Sequence, residues 1–231
     1  MQEYIFTYLE IFFVILLIVF ITLQITLEKS HTRKQARNIS ELKELLTVDH
    51  LTGLLNRKAI DEGLIRLLGT EPVTRINDRR SHDVLPFEPV SLMMIDSDRF
   101  KQINDKYGHP TGDRVLQMIA IAIKLVVHRN TDMVGRMGGD EFVVVLVNTS
   151  LKDATVVAEK LREAVLTIDF SLEKGIPDDF RTTVSIGLAC ADCWNDGLPY
   201  SLMKSADNAL YKAKETGGNK VYIAVEEESS L

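Results

Sequence analysis

Two small groups of acids in this chain have the types and spacing to do chemistry. Asp140 and Glu141 are adjacent and follow two glycines in Arg136-Met137-Gly138-Gly139-Asp140-Glu141-Phe142. Apolar residues stand on both sides, so the stretch predicts a β-hairpin with a Gly-Gly turn. Glycine accepts positive φ and lets a ligand approach the backbone closely. Two acids on one tight turn repel each other unless a positive partner lies between them. A divalent cation with a polyphosphate would supply that partner. The plain alternative is a solvated turn, because Asp and Gly are common turn residues. Asp96 ends the apolar run Val90 to Ile95 and is followed by Ser97 and Asp98. In a sheet that pairs this strand with the hairpin, Asp96, Asp140 and Glu141 converge at one edge. Such convergence suits a hard cation, magnesium above all when a phosphorylated substrate adds oxygens. Asp98 is expected to cap the helix that follows.

Asn104 and Asp113 flank Gly108. A carboxylate accepting from N1–H and the exocyclic amine, with an amide donating to O6, reads a guanine edge. Both are also ordinary turn residues. Lys101 lies one helical turn before Asn104 and can share its face. Lys101 and Lys214 are the candidate phosphate partners, although a lone lysine is usually just solvated.

These groups need a scaffold. Val90–Ile95 predicts a buried strand. Phe100–Tyr107 predicts a short helix closed by Gly108-His109-Pro110. A second helix is expected from Thr111 or Gly112 to His128, with Val115, Leu116, Ile119, Ile123 and Val126 facing inward. The hairpin follows. Ser150 and Asp153 resemble a capping box opening a helix through Ile168. Thr182–Ala189 predicts a strand, Leu202–Thr216 a helix ended by Gly217-Gly218, and Val221–Val225 a last strand. The order β-α-α-β-β-α-β-α-β predicts an α+β fold of ferredoxin-like (palm-type) form, an antiparallel-rich sheet with packed helices. Upstream, Asp49–Arg57 reads as a turn entering a helix with Ile60, Leu64, Leu67 and Leu68 on one face. Gly69–Glu88 reads as an exposed loop.

The chain has 231 residues, 45% of them apolar, and net charge −6. That length suits one sizeable core with appendages. The acidic balance argues against a nucleic-acid partner. Cys190 and Cys193 form a lone C-x-x-C, read as two incidental reduced thiols because zinc needs four ligands.

The N-terminus differs in kind. Ile11 to Leu27 carries no charge, and the apolar character extends back to Tyr4, interrupted only by Glu10. About 20 such residues cross a bilayer, so residues 1–28 predict a single transmembrane anchor with Tyr4 and Tyr8 near an interface. A signal peptide lacks its positive n-region and cleavage site here, and a buried core helix would not need to be apolar on every face. Lys29, Arg33, Lys34 and Arg37 follow the run, which puts the C-terminal bulk on the cytoplasmic side. On this reading too little chain precedes the run to form an outer sensor domain. Residues 29–48 predict a connecting helix whose stripe Ile39, Leu42, Leu45 and Leu46 suits pairing of two chains or packing on its own domain. Residues 49–231 form the remaining domain.

The blocks of residues 49–231 together resemble the GGDEF-domain diguanylate cyclases. They are Asp49-x-Leu51-Thr52-Gly53-Leu54-x-Asn56-Arg57, Asp96-x-Asp98-x-Phe100-Lys101-x-Ile103-Asn104-Asp105, Gly108-His109-x-x-Gly112-Asp113, Gly138 to Phe142, Ser185-Ile186-Gly187 and Ala206-Asp207-x-Ala209-Leu210-Tyr211-x-Ala213-Lys214. The resemblance implies condensation of two GTP into cyclic di-GMP and two pyrophosphates at a bacterial inner membrane. It implies that Asp96, the Ser97 carbonyl and Asp140 hold Mg2+ (or Mn2+), and that Asn104 and Asp113 read guanine with His109 lining the base pocket. Lys101 and Lys214 would hold the triphosphate, and Asp140 or Glu141 would help deprotonate the 3′-hydroxyl. One domain holds one GTP, so a homodimer is required. Arg129-x-x-Asp132 stands at the family's inhibitory position for cyclic di-GMP, where an Arg fork suits guanine or phosphate; a helix-end ion pair is the alternative. The family usually has Gly-Arg-Asn after the last helix, whereas this chain has Gly217-Gly218-Asn219, so a phosphate contact is either missing or supplied by Lys220. Ser97 replaces a usual apolar residue. The rival reading is a domain weak in catalysis that serves as a cyclic di-GMP or GTP receptor.

Overall fold

The computed structural model describes residues 22–24, 29, 47–69, 89–171, 173, 176–177, 179–191 and 199–224. It divides into two units, Met1–Leu46 and Thr47–Leu231. In the first, only residues 22–24 and 29 are described, all helical. The predicted membrane span and connecting helix therefore lie almost wholly outside the described residues, as do loop residues 70–88 and Cys193. Among the described residues, no helix is long and apolar enough to cross a membrane.

The second unit is built on a six-stranded sheet. Its elements are β1 (Leu55–Asn56), α1 (Arg57–Leu68), β2 (Val90–Ser97), α2 (Phe100–Tyr107), α3 (His109–Val126), β3 (Met133–Gly138), β4 (Glu141–Val147), α4 (Leu151–Leu166), β5 (Val184–Ala191), α5 (Pro199–Glu215) and β6 (Val221–Ile223). The spatial order is β1-β3-β4-β2-β5-β6. The inner four strands, β3-β4-β2-β5, are antiparallel. That is the ferredoxin-like order expected of a split β-α-β. β1 and β6 add parallel pairs at the two ends.

β2 is central because it can be buried on both faces. Every residue of its run Val-Ser-Leu-Met-Met-Ile-Asp-Ser is buried. Val90, Leu92 and Met94 pack with Val143 and Val145 of β4 and with Ile60, Leu64, Leu202 and Leu210 of α1 and α5. Met93 and Ile95 alternate to the other face, against Phe142, Val144, Ile186, Ile119 and Leu161. Burying each such side chain stabilises the fold by about 1.5–3 kcal/mol. Gly187 on β5 lets α5 come close, since a Cβ there would stand 2.1 Å from the Ala206 carbonyl oxygen and the Leu210 nitrogen.

Local details differ from the sequence reading. α3 starts at His109, before Thr111, with Pro110 in the first turn where no N–H is needed. Gly108, at φ 85°, ends α2 and opens α3. Asp98 does not cap α2; the cap position is Arg99 at φ 57°, with no side-chain bond. Asp98 is already held by other donors. Phe170, Ile176 and Phe180, between α4 and β5, enter the core. Phe180 stacks edge-on against both Phe170 and Tyr107.

Candidate active site

The antiparallel register sets the acids. Asp96 on β2 lies opposite Glu141 on β4 and opposite Ser185 on β5. The Ser97 N–H donates to the Asp140 carbonyl at 3.3 Å, which ties the strand end to the Gly-Gly turn. That turn is reached through Gly138 and Gly139, both with positive φ (142° and 54°), a backbone that other residues rarely adopt.

Asp96 is 6% exposed, and the Lys214 ammonium stands 2.5 Å from its Oδ2. Burial pushes the Asp96 carboxyl up to about 6; the Lys214 bond pulls the other way, and the charges of Asp140 and Glu141 add to the rise. The three predicted acids are thus within electrostatic reach of one another. Their side chains nevertheless part. Asp140 joins Asp96, Ser97, Lys101 and Lys214 along a cleft of about 1090 Å³. Glu141 lines a second cleft of about 770 Å³ between α1 and α5, with Arg57, Met137 and Tyr200. Among the described residues, no three His, Cys, Asp or Glu side chains form a ready-made metal cage.

Asp98 lines the first cleft with both oxygens engaged. Thr183 and Ser185 hydroxyls donate to them at 2.6 Å each, and the Asn219 N–H donates at 2.8 Å. The carboxylate therefore fastens the turn after α5, which carries Lys214, to the start of β5. Sequence reading missed this clasp because its three donors lie more than 80 residues away.

Asn104, His109 and Asp113 stand beside this cleft rather than along it. Asn104 Oδ1 is buried with no hydrogen-bond partner. It faces α3 where Gly112 leaves room, since a Cβ at 112 would fall within 1.9 Å of it. Asp113, the next residue, is exposed, as is His109. Asn104 thus packs against the first turn of α3, the helix that carries Asp113.

Arg129 and Asp132 form the helix-end ion pair. The guanidinium donates to both Asp132 oxygens at 2.8 and 2.9 Å, to the Val147 carbonyl at 3.0 Å and to Thr149 Oγ1 at 2.6 Å. The Val147 N–H donates back to Asp132. The arginine is half exposed while the Asp132 side chain is 3% exposed.

The described residues thus form a palm-like α+β domain with acids at a central strand end, a Gly-Gly-Asp-Glu turn and a lysine-lined cleft. The sequence model of the diguanylate cyclase GGDEF domain matches residues 46–220, and the chain belongs to that family. Diguanylate cyclase DgcM of Escherichia coli (strain K12) is 38% identical over 191 residues, 83% of this chain and 42% of the relative. Response regulator PleD of Caulobacter vibrioides (strain NA1000 / CB15N) is 36% identical over 193 residues, 84% of this chain and 39% of the relative. The chain thus spans less than half the length of these curated relatives. Among solved structures, the coiled coil and GGDEF domain of DgcB from Caulobacter crescentus, in complex with c-di-GMP, aligns with a TM-score of 0.72. Its identity is 26%, covering 87% of this chain and 97% of that one.

Proposed function

We propose that this chain is a diguanylate cyclase that condenses two GTP into cyclic di-GMP and two pyrophosphates. The observation that carries the proposal is the pairing of Asp96 with Lys214 at the end of β2, in a cleft shared with Asp140 and Lys101. Lys101 and Lys214 hold the triphosphate, and Asn104 and Asp113 read the guanine edge with His109 at the base.

Asp96, the Ser97 carbonyl and Asp140 suit Mg2+ or Mn2+. The donors are hard oxygens, and burial first, with the Asp140 charge adding to it, raises the Asp96 carboxyl. Mg2+ commonly takes one or two carboxylates and completes its shell with substrate phosphate oxygens, which fits a site with two carboxylates and one carbonyl. Bound there, the ion would neutralise charge at the α-phosphate. Lys214 must then leave Asp96 for the phosphates.

In the reaction the 3′-oxygen of one GTP bonds to the α-phosphorus of the other. The bond from that phosphorus to the bridging oxygen breaks, and pyrophosphate leaves with the electron pair. The hydroxyl proton passes to Asp140 or Glu141. Positioning and charge neutralisation provide most of the acceleration. Each domain holds one GTP, so two copies face each other as a homodimer. We place the domain on the cytoplasmic face of a bacterial inner membrane, tethered by the apolar run near residues 11–27 and joined through residues 29–48. Cyclic di-GMP inhibits by docking at Arg129 and Asp132.

The test incubates the full chain with GTP and Mg2+ and measures cyclic di-GMP and pyrophosphate together. Product from the wild type and none from Asp140→Ala is expected. Absence of product at high protein concentration, with cyclic di-GMP still bound, would replace the enzyme by a receptor.

A further inference from the structure

Lysine carries its charge on a flexible stem, so where the Lys214 ammonium stands depends on what holds the end of α5. The helix closes there on its own backbone. The Gly217 N–H donates to the Lys214 carbonyl at 3.1 Å, and the Gly218 N–H to the Ala213 carbonyl at 3.0 Å. The Lys220 ammonium folds back onto the Thr216 carbonyl. Gly217, Gly218 and Asn219 all have positive φ (109°, 73° and 49°). An asparagine keeps that backbone only where its surroundings fix it.

Two contacts fix it. The Asn219 N–H donates to Asp98 Oδ2 at 2.8 Å, and the Asn219 side-chain oxygen accepts from Arg162 Nη1 at 2.9 Å. Arg162 is held in turn by Glu159 at 2.8 Å. Asp98 is the firmer anchor. Its own N–H donates to the Thr183 carbonyl at 2.9 Å, and the Thr183 and Ser185 hydroxyls donate to its two oxygens. Gly218 lies against the same carboxylate, where a Cβ would stand 2.9 Å from Oδ1.

These contacts close a ring. The end of β2 reaches α5 through Asp96 and Lys214, and it reaches the turn beyond α5 through Asp98 and Asn219. Ser185 braces both, standing opposite Asp96 in the sheet and donating to Asp98. We propose that Asp98 is a positioning residue for Lys214. By holding the turn at Gly218 and Asn219 it fixes the end of α5, and with it the point from which the lysine exchanges Asp96 for a phosphate. Asp98 itself touches neither metal nor nucleotide. The inference rests on the reading of the cleft as the GTP site.

The experiment is calorimetry on the full chain with Mg2+ and the α,β-methylene analogue of GTP, in which the scissile bond cannot break. It is run over a double-mutant cycle of Asp98→Asn and Lys214→Ala. Lys214→Ala should weaken the analogue about tenfold, the scale of a lost charge-assisted bond. Asp98→Asn should weaken it about fivefold in the otherwise native chain and less than about twofold in the Lys214→Ala chain, because the two residues act as one unit. A residue that only supports the fold, or that binds the ligand directly, would weaken both backgrounds alike, and that result overturns the proposal. If Asp98→Asn does not fold, Thr183→Val takes its place in the cycle, since it removes one donor to Asp98, and Thr183→Ser, which keeps the hydroxyl, should restore binding. Wild type that does not bind the analogue removes the GTP-site reading and the proposal with it. Equal binding by wild type and Asp98→Asn, with Lys214→Ala weakened, removes only the role of Asp98.

Discussion

Arg136 joins Asp49 to the carbonyl of Gly139. Its guanidinium donates to the Gly139 oxygen at 2.7 and 3.0 Å and to the two Asp49 oxygens at 3.1 and 3.2 Å. Asp49 also accepts from the Thr52 N–H and hydroxyl. One arginine thus ties the first turn of the domain to the glycine preceding Asp140. Both side chains are mostly covered, at 13% and 17% exposure, so removal of one partner strands the other. Asp49→Asn should cost about 1–3 kcal/mol, read as a lower urea midpoint. Burial raises the Asp49 carboxyl, but the Thr52 and Arg136 bonds outweigh it and the net shift is downward. A depressed carboxyl contributes stability above its ordinary pKa and loses it as pH falls through the folded value. The difference between wild type and Asp49→Asn should therefore shrink in acid; a constant difference would rule the clamp out.

Asp96 should behave in the opposite sense. Its folded pKa, about 6, lies above the ordinary 3.8. The folded chain thus holds that proton longer than the unfolded chain, and this group's contribution to stability declines as pH rises from the ordinary value through about 6. A divalent ion needs the ionised form. The rise in Tm given by Mg2+ with GTP should therefore grow between about pH 5 and about pH 7. Asp96→Asn should abolish that growth; its persistence would assign the ion to other residues.

Gly112→Ala tests the guanine reader. The added methyl collides with Asn104 Oδ1 and approaches the Phe100 ring at 3.1 Å. We expect KM for GTP to rise several-fold and a stability loss of about 1–3 kcal/mol, the usual range for overpacking. An unchanged KM would mean that Asn104 does not touch the base.

Arg129→Ala addresses feedback. The inhibition constant for cyclic di-GMP should rise about tenfold or more while initial velocity without product stays the same. Because Arg129 also holds Val147 and Thr149, a modest drop in Tm is expected as well. Unaltered inhibition would leave the pair as a structural ion bridge alone.

Much of this was legible in the chain because it depends on local pattern. The continuous apolar run of β2, the Gly-Gly hairpin and most of the helix faces follow from side-chain pattern alone, although Leu67 of α1, expected on its apolar face, is exposed. Ser150 donates to Asp153 and accepts from its N–H, as the capping-box pattern implied. The failures were long-range. Asp98 was assigned to the nearest helix because a sequence offers only local donors, whereas its partners come from β5 and the far turn. Phe170, Ile176 and Phe180 show no helical or strand period, and only tertiary packing makes them core. Asp140 and Glu141 part because one ends the turn and the other opens β4, where successive side chains face opposite sides, so adjacency in sequence did not put both in one cleft.

The Lys214–Asp96 contact also bears on the order of events. The protein seats its own cation on Asp96, and that cation rides on a half-exposed side chain while its partner is fixed in the sheet. A bare divalent ion must displace this ammonium with nothing offered in exchange. The phosphates of a nucleotide bound in this cleft would offer the Lys214 ammonium a second anionic partner. On the proposed reading, Asp96 would exchange its own lysine for an ion most readily when phosphates are present to receive that lysine.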